Sequence, residues 1–318
     1  MLDGSDLENE FVDYAIAQTH PFARDCAGES LRSNLIEVVR LHIQWITSAE
    51  FAQSYSAGFE SFGASPATFN NRLMQIGPLR LIAGIRFRNL DIRHPFVAID
   101  QSSLPLGTLT DSTQVMDTMR AAFSVFKPRT VSFHHPSHLP LRLSGSAADF
   151  HVLIALAQAM AKRAPELGLG RVTLVPCVDL DFYERYVALY DDIHHERAWA
   201  RAEVRIEDRD SLANFLAQGL LFHVHVDSIW SGIIAGTRWG REARGAVKGI
   251  QVAEIVLAKS ARGAGLGVAV QRRFAEHVAA REPDTTIWGT IAHANLPMRR
   301  TAERAGRIDI GTTYCIDL

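Results

Sequence analysis

Cysteine is scarce in this chain of 318 residues. The three cysteines, Cys26, Cys177 and Cys315, are far apart, odd in number and without the spacing of a metal-ligand motif. Such a pattern fits reduced, mostly buried thiols better than a disulfide framework or a zinc site. Neither a catalytic cysteine nor a zinc site is therefore expected.

The sequence also lacks a large excess of either charge and a long hydrophobic run. Its formal net charge is -2, acidic and basic residues are mixed along it, and only four residues are lysines. We therefore expect no nucleic-acid partner and no membrane-bound surface. No apolar run approaches the ~20 residues of a transmembrane helix. The start, MLDGSDLENEFVDYA, carries acids where a secretory signal needs basic residues, so we expect a cytoplasmic protein.

Apolar residues are plentiful, at 47% of the chain, which is enough for two domains of ordinary size. Over residues 1–166 the patterns predict a helix from Glu29, two strands with a turn near Asn89, a helix through VMDTMRAAFSVF and the strand TVSFHH. A second long helix is predicted from about Ala147. The best linker is PELGLG at 165–170.

Residues 167–318 predict a second domain. The strand RVTLVPC precedes a helix that starts at Asp179 and a short helix, SLANFLAQG. Asp227 and Ser228 then form the turn of a β-hairpin, and the polar loop GREARGAVKG leads to the strand IQVAEIVLA. A glycine-rich run, a helix, the strand TTIWGTIA, a short helix and a last strand from Ile308 to Ile316 follow. The predicted fold class is α/β, with a hairpin-rich, mixed sheet.

The glycine-rich run KSARGAGLGVAV, at 259–270, has glycine at every second position: Gly263, Gly265 and Gly267. A turn of this kind between a strand and a helix suits a phosphate, because unpaired N–H groups and the positive end of the helix dipole meet there. The alternative is that small residues let the helix pack closely on the sheet. Neither a P-loop nor a dinucleotide fingerprint fits, since Val268 and Ala269 follow the last glycine.

Arg262-Gly263-Ala264-Gly265-Leu266-Gly267 follows an apolar strand and opens a long helix. This resembles the acetyl-CoA pyrophosphate loop of the GCN5-related N-acetyltransferases. The downstream part is similar to that family as well, since Asn295 begins a short helix after TTIWGTIA and Gly306 closes it. The hairpin HVDSIWSG matches the family's hairpin ahead of the central strand. The resemblance covers about residues 170–318 and implies the acyl-CoA N-acyltransferase fold.

The resemblance implies a set of residues that bind acetyl-CoA, the co-substrate. The central strand diverges from its neighbour, and the pantetheine arm lies in the gap against Val256, Leu257 and Ala258. The pyrophosphate lies on the N–H groups of Gly263 to Gly267. The implied cofactor-binding residues are Val256, Leu257, Ala258, Arg262, Gly263, Ala264, Gly265, Leu266, Gly267 and Asn295. Arg262 adds charge at the diphosphate or is a solvated surface residue.

Acetyl transfer to an amine needs a base for the nucleophile and an acid for the departing thiolate. Glu254, a carboxylate in an apolar strand, lies where family members often carry the base; the alternative is an edge residue facing water. Many family members have a tyrosine as the acid seven residues after the asparagine, but Ala302 occupies that position here. Tyr314 on the last strand is a substitute candidate, or a buried core aromatic.

Histidines offer two further candidates with simpler explanations. His223 and His225 alternate on the strand before the hairpin, where they contact an acceptor or pack on one face of the sheet. His134, His135 and His138 cluster in FHHPSH but lack a fixed geometry and an acidic partner, so no metal is expected.

We therefore predict two tandem domains. Residues 167–318 form a catalytic domain that moves an acetyl group from acetyl-CoA to a primary amine of a small molecule or peptide, by direct attack in a ternary complex. Residues 1–166 form a degenerate acetyltransferase-like or accessory domain, because Leu104 and Leu106 stand where its loop would need glycines. The alternative is a non-catalytic acyl-CoA-binding or regulatory protein. A homo-oligomer is compatible with either function.

Overall fold

The computed structural model describes residues 4–163, 168–197, 199–200, 204, 206–238 and 246–318. Contacts between residues group the described chain into two units. Unit 1 comprises residues 4–151, 246–247 and 310–318, and unit 2 comprises the described residues within 152–242 and 248–309. Residues 165–167 of the predicted linker and residues 240–245 of the predicted polar loop lie outside the described residues. In the described part of the chain, no helix combines the length and the apolarity needed to cross a membrane.

The helices of unit 1 cluster before and between its strands. They are α1 (Gly4–Gln18), α2 (Pro21–Ala27), α3 (Leu31–Thr47), α4 (Ala49–Ser56) and α5 (Thr113–Ala122). The strands are β1 (Arg72–Ile76), β2 (Leu79–Phe87), β3 (Pro95–Ser102), β4 (Thr130–Pro136), the part of β5 (Ala147–Leu156) up to His151, and the part of β11 (Ile308–Asp317) from Ile310.

The sheet of unit 1 has the order β1-β2-β3-β4-β11-β5. β2 and β3 are antiparallel, and the turn between them carries Asn89 at a φ of 54°, which confirms the predicted turn. β3 and β4 are parallel, and β4 is antiparallel to the C-terminal strand β11. The core is rich in phenylalanine, with Phe69, Phe123 and Phe126 almost fully buried.

The helix predicted from about Ala147 is wrong. Residues Ala147–Leu156 form strand β5, and only α6 (Ala157–Ala161) is helical. The segment contains the apolar run VLIALA, in which Leu153 and Ile154 are fully buried. A short run of this kind fits a buried strand and a buried helix equally well, so its periodicity could not distinguish the two.

The helices of unit 2 are α6, α7 (Tyr183–Glu196), α8 (Arg209–Ala217), α9 (Leu266–Ala279) and α10 (Leu296–Arg304). Its strands are β6 (Val172–Pro176), β7 (Leu221–Val226), β8 (Ile229–Thr237), β9 (Val247–Leu257), β10 (Thr286–Ala292) and the remaining parts of β5 and β11. The order β5-β10-β9-β8-β7-β6 contains antiparallel pairs and the parallel pair β9–β10. The predicted mixed α/β class is confirmed.

Two local predictions in unit 2 are confirmed. Asp227 and Ser228 have φ values of 50° and 67° in the turn between β7 and β8, as a tight hairpin turn with both central residues left-handed requires. Asn295 is the N-cap of α10, and Gly306, at a φ of 108°, follows the end of that helix. The apolar face of α9, which includes Leu266, packs in the core between that helix and the sheet.

Both units contain the same connection. In unit 1 the antiparallel pair β2–β3 continues through α5 into β4, which is parallel to β3. In unit 2 the antiparallel pair β8–β9 continues through α9 into β10, which is parallel to β9. The contacts group Ile310–Leu318 with unit 1, whereas the predicted catalytic domain ran to residue 318. The functional division at 166/167 stays a prediction.

Candidate active site

The two parallel strands of unit 2 diverge after a short ladder. β9 and β10 pair from Gly249–Thr286 to Gln251–Trp288, and the described register contains no pair beyond that point. β9 nevertheless continues to Leu257, and its other edge stays paired with β8 through Glu254–Ala235 and Val256–Ile233. From Val252 onward the facing edge of β9 has no described pairing with β10. We call the region between these parts of the two strands the slot.

The predicted pantetheine contacts, Val256, Leu257 and Ala258, lie at the open end of the slot. The N–H of Ala258 donates to the carbonyl of Ser231 (2.8 Å). The carbonyl of Leu257 accepts from Nε of Arg262 (2.7 Å). Two backbone groups of this stretch are therefore already bonded within unit 2, and the roles of these residues toward a ligand stay predictions.

The glycine run follows directly. One turn of 3₁₀ helix, Lys259–Ala261, leads to Gly263 at a φ of 81° and Gly265 at 75°, and α9 begins at the next residue. A Cβ at either glycine would meet no atom within 4 Å, so these positions need glycine for the backbone angle. Gly267 differs, because a Cβ there would lie 3.0 Å from Cγ2 of Thr301 on α10.

The two interpretations of the glycines thus apply to different residues. Gly263 and Gly265 shape the loop, whereas Gly267 allows close packing. Among the described residues, no acceptor is found for the N–H groups of Gly263 to Gly267, and the first hydrogen bond beyond them joins the N–H of Val268 to the carbonyl of Gly265 (3.2 Å). Five donors at the positive end of a helix make a favourable place for a phosphate.

Arg262 turns away from this loop in the structure. Its Nε binds the carbonyl of Leu257, Nη1 forms an ion pair with Glu196 (2.9 Å), and Nη2 contacts the carbonyl of Leu189 (3.4 Å). The guanidinium therefore ties the end of β9 to α7. Asn295 likewise makes a local bond, since its Oδ1 accepts from the N–H of Met298 (3.4 Å).

Glu254 is buried on the face of β9 that α7 covers. The hydroxyl of Tyr186 donates to its Oε2 at 2.7 Å, and the hydroxyl of Tyr190 donates to the same oxygen at 2.5 Å. The two tyrosines lie four residues apart on α7, so they share one face of that helix. The alternative that Glu254 is an edge residue facing water is wrong.

A β-bulge gives Glu254 this orientation. The register between β8 and β9 shifts between Ala235 and Gly236, so that Glu254 pairs with Ala235 while Val252 pairs with Gly236. Ala253 is the extra residue, and the alternation of side chains along the strand is broken there. Val252 consequently packs in the core beside α9, whereas Val256 belongs with Tyr186 and Tyr190 to the cluster beneath α7.

Burial is the main cause of an unusual pKa at Glu254. Desolvation raises the pKa of this carboxyl to about 7, although the hydrogen bonds from Tyr190 and Tyr186 act in the opposite direction. The pKa of both phenols is raised well above the usual value, by burial and by the nearby carboxylate. The tyrosines therefore remain neutral donors at any ordinary pH, while Glu254 changes its charge near neutrality.

The sequence analysis missed Tyr186 and Tyr190. The available signal was the spacing of two tyrosines in YERYVALY on a predicted helix, which places both on one face. What the sequence could not give is the pairing of that face with β9. A third member of the group, the backbone N–H of Glu207, donates to the hydroxyl of Tyr186 (2.9 Å).

The acid candidates lie elsewhere. Tyr314 belongs to unit 1, where its ring stacks on Phe133 at a centroid distance of 5.9 Å within the phenylalanine-rich core. Ala302 is fully buried against Leu153 and Ile291, so this position offers no acid in unit 2. A catalytic role for Tyr314 stays a prediction.

Three of the histidine candidates make local contacts within their own unit. His223 accepts a hydrogen bond from the indole of Trp230 (3.0 Å), and burial lowers the pKa of its imidazole. His135 contacts the carbonyl of Leu139 (3.1 Å), and His138 packs edge-on against His20 in unit 1. Within the described ranges, no group of three or more potential ligands could hold a metal ion.

Comparisons with known proteins give only distant likenesses. No family model and no curated protein matches the sequence. The structure is similar to a GCN5-related N-acetyltransferase from Sphaerobacter thermophilus, at 12% identity and a TM-score of 0.48 over 84% of this chain and 91% of that chain. A GCN5-related N-acetyltransferase from Kribbella flavida has 17% identity and a TM-score of 0.42, over 85% and 96%.

A third similar structure is described as a tandem GNAT protein from the clavulanic acid biosynthesis pathway. It has 13% identity and a TM-score of 0.41, over 92% of this chain and 96% of that chain. Likeness at this level assigns no activity to this chain.

Proposed function

We propose that unit 2 is an acetyltransferase domain of the GCN5-related type, which moves an acetyl group from acetyl-CoA to a primary amine of a small molecule or peptide. The observation that carries the proposal is the position of Glu254. This buried carboxylate, with a pKa near neutrality, lies on the strand that lines the slot and runs directly into the glycine loop. A base, a slot and a phosphate-binding loop are thus contributed by one strand and its continuation.

The glycine loop supports the binding of acetyl-CoA. The N–H groups of Gly263 to Gly267 suit the pyrophosphate, and the edge of β9 up to Ala258 suits the amides of the pantetheine arm. A ligand held in this way would extend from the loop into the slot, which brings its thioester toward Glu254. Arg262 contributes by fixing the end of β9, in addition to any charge it supplies at the diphosphate.

Glu254 supplies the base. An amine must lose a proton as its nitrogen bonds to the thioester carbon, and a carboxylate with a pKa of about 7 is largely ionised just above neutral pH. The two phenols hold the carboxylate in place and stabilise its charged form. When the carbon–sulfur bond breaks, the CoA thiolate leaves. The pKa of the corresponding thiol is ~8.5, so protonated Glu254 is a stronger acid than that thiol. Glu254 is therefore able to return the proton if Tyr314 does not.

The proposal is tested by thiol release from acetyl-CoA across a panel of primary amines. The assay uses the full chain, together with a calorimetric measurement of CoA binding. We expect thiol release that requires the amine, at a rate that rises with pH through the pKa of Glu254. Background release from a folded protein that binds CoA would remove the catalytic proposal.

That outcome would favour the second candidate, a non-catalytic acyl-CoA-binding or regulatory protein. The observation in its favour is the fully buried Ala302. This residue occupies the position where many members of the family carry a tyrosine that acts as the general acid. Such a protein would bind CoA with the glycine loop and would release no thiol above background from acetyl-CoA with any amine.

Unit 1 fits a degenerate copy of the same fold. Its connection β2–β3–α5–β4 repeats that of unit 2, but the loop between β3 and α5 carries Leu104 and Leu106 where glycines would stand. Leu106 is buried in the core of unit 1, so the loop is used for packing. We therefore assign one acetyl-CoA site to the chain, in unit 2.

A further inference from the structure

Arg307, directly after Gly306 in unit 2, is a buried cation, and two of its nitrogens have no partner among the described residues. Its side chain is 4% exposed, and its backbone N–H caps α10 by donating to the carbonyl of Ala302 (3.0 Å). Neither Nε nor Nη2 has a hydrogen-bond partner among the described residues. Burial lowers the pKa of Arg307 to about 10, so the group still carries its charge at neutral pH.

An unpaired charge in the interior is strongly unfavourable, and proteins normally bury arginine together with a partner. The two unpartnered atoms are adjacent donors on one edge of the guanidinium, the arrangement that binds both oxygens of a carboxylate. Other arginines of this chain use the same edge to bind a carboxylate. Nε and Nη2 of Arg40 bind the two oxygens of Glu8 at 2.8 and 2.9 Å, and those of Arg171 bind Asp227.

One nitrogen of the guanidinium, Nη1, lies beside Gly289 at the closed end of the slot. A Cβ built on Gly289 would lie 3.2 Å from Nη1 of Arg307 and 3.4 Å from the carbonyl oxygen of Val252. Gly289 and Val252 are the first residues after Gln251–Trp288, the last pair before β9 and β10 diverge. The absence of a side chain at residue 289 therefore leaves room for the guanidinium at the point where the slot begins.

We propose that Arg307 binds a carboxylate of a substrate at the closed end of the slot. The inference rests on the binding of a CoA thioester in the slot with its pyrophosphate at the glycine loop, as in the proposed function, and it replaces the acetyl group by a longer acyl group where the carboxylate belongs to the donor. The acyl group is the part of the donor that reaches farthest from that loop, so the first source of the carboxylate is a dicarboxylic acyl group, as in malonyl-CoA or succinyl-CoA. The second source is a carboxylate of the acceptor amine.

The test compares two stable thioethers of similar size, S-(2-carboxyethyl)-CoA and S-propyl-CoA, by calorimetry with the full chain. The wild type is expected to bind the carboxylate analogue at least 10-fold more tightly, and Arg307→Met is expected to remove this preference while the affinity for CoA itself stays unchanged. Arg307→Lys keeps the charge but loses the two-donor edge, so an intermediate preference is expected. This variant also serves if Arg307→Met fails to fold.

The second arm of the test concerns the acceptor. It compares the rates of thiol release from acetyl-CoA with lysine and with cadaverine, which lacks the carboxylate of lysine. A preference for lysine that disappears in the Arg307 variants assigns the carboxylate to the acceptor. If CoA binds but neither arm shows a preference that depends on Arg307, the inference is wrong and the proposed function stands. If neither CoA nor its thioethers bind, the proposed function fails and the inference fails with it.

Discussion

The hydroxyl of Tyr190 donates to Oε2 of Glu254 at 2.5 Å, inside a cluster of buried side chains. This contact joins a helix to the central strand of unit 2, and Tyr186 repeats it four residues earlier on the same carboxylate oxygen. Burial raises the pKa of Glu254, and the hydrogen bonds from the two phenols lower it. The charge of Glu207 also raises the pKa of the carboxyl and the backbone N–H of Ile255 also lowers it, and the contribution of each phenol can be changed by mutation.

Removing one phenol should move the pH dependence of the reaction. In Tyr190→Phe the carboxylate loses a donor, and a hydrogen bond to a charged group contributes about 1.5–3 kcal/mol, so the pKa of Glu254 should rise by about one unit or more. The acidic limb of the pH–rate profile should shift upward by the same amount. Tyr183→Phe, on the same helix but without a bond to Glu254, is the matched control. A uniform loss of rate at every pH would indicate a purely structural role for Tyr190.

The glycine loop should depend on left-handed backbone angles. Gly265→Ala forces an L-residue to a φ of 75°, which costs roughly 1–2 kcal/mol, so CoA affinity should fall about 10-fold. Gly170→Ala is the control, because that glycine also has open space around its Cβ position but no positive φ. Calorimetric titration with CoA measures both. Equal affinity in Gly265→Ala and the wild type would remove the pyrophosphate from this loop.

Burial of Glu254 should make stability depend on pH. Its pKa is raised from 4.5 to about 7 in the folded protein, so between these values the unfolded chain releases a proton that the folded chain keeps. The contribution of Glu254 to the free energy of unfolding is therefore complete below about pH 4.5 and is lost as the pH rises through about 7. Glu254→Gln should be more stable than the wild type by about 3 kcal/mol at pH 8 and by almost nothing at pH 4.5. Urea unfolding at the two pH values tests this, and an equal difference at both would contradict the raised pKa.

Asn295 offers a way to separate a helix cap from a ligand contact. Asn295→Ala should lower the free energy of unfolding by about 1 kcal/mol, because the first turn of α10 loses its side-chain acceptor. Asn295→Ser retains a capping oxygen and should restore stability. If CoA affinity is restored with it, the residue acts through the cap; if affinity stays low, the amide itself contacts the ligand.

Local signals in the sequence predicted much of unit 2. The hairpin turn at Asp227, the cap at Asn295 and the loop from Gly263 depend on residue types that few backbone conformations accept, so their positions are visible without a structure. Glu254 was also a candidate, because a carboxylate in an apolar strand is unusual.

The remaining features depend on contacts between distant segments. The bulge at Ala253 and the partnership of Glu254 with Tyr186 and Tyr190 arise where β9 packs under α7, and no local pattern specifies them. Strand β5 was mistaken for a helix because a buried strand and a buried helix have the same continuous apolar character. Arg307 looks like any surface arginine in the sequence, and only its burial distinguishes it.

The central claim is that Glu254 acts as the base of an acetyl transfer in unit 2. It is tested most directly by the pH–rate profiles of the wild type and Glu254→Gln, with acetyl-CoA, an accepted amine and parallel CoA titrations. For the wild type we expect a rate that rises with pH through about pH 7. For Glu254→Gln we expect a kcat that is lower by roughly 100-fold or more and does not rise in this way, together with unchanged CoA affinity. Equal turnover and equal pH dependence in the two proteins would contradict it.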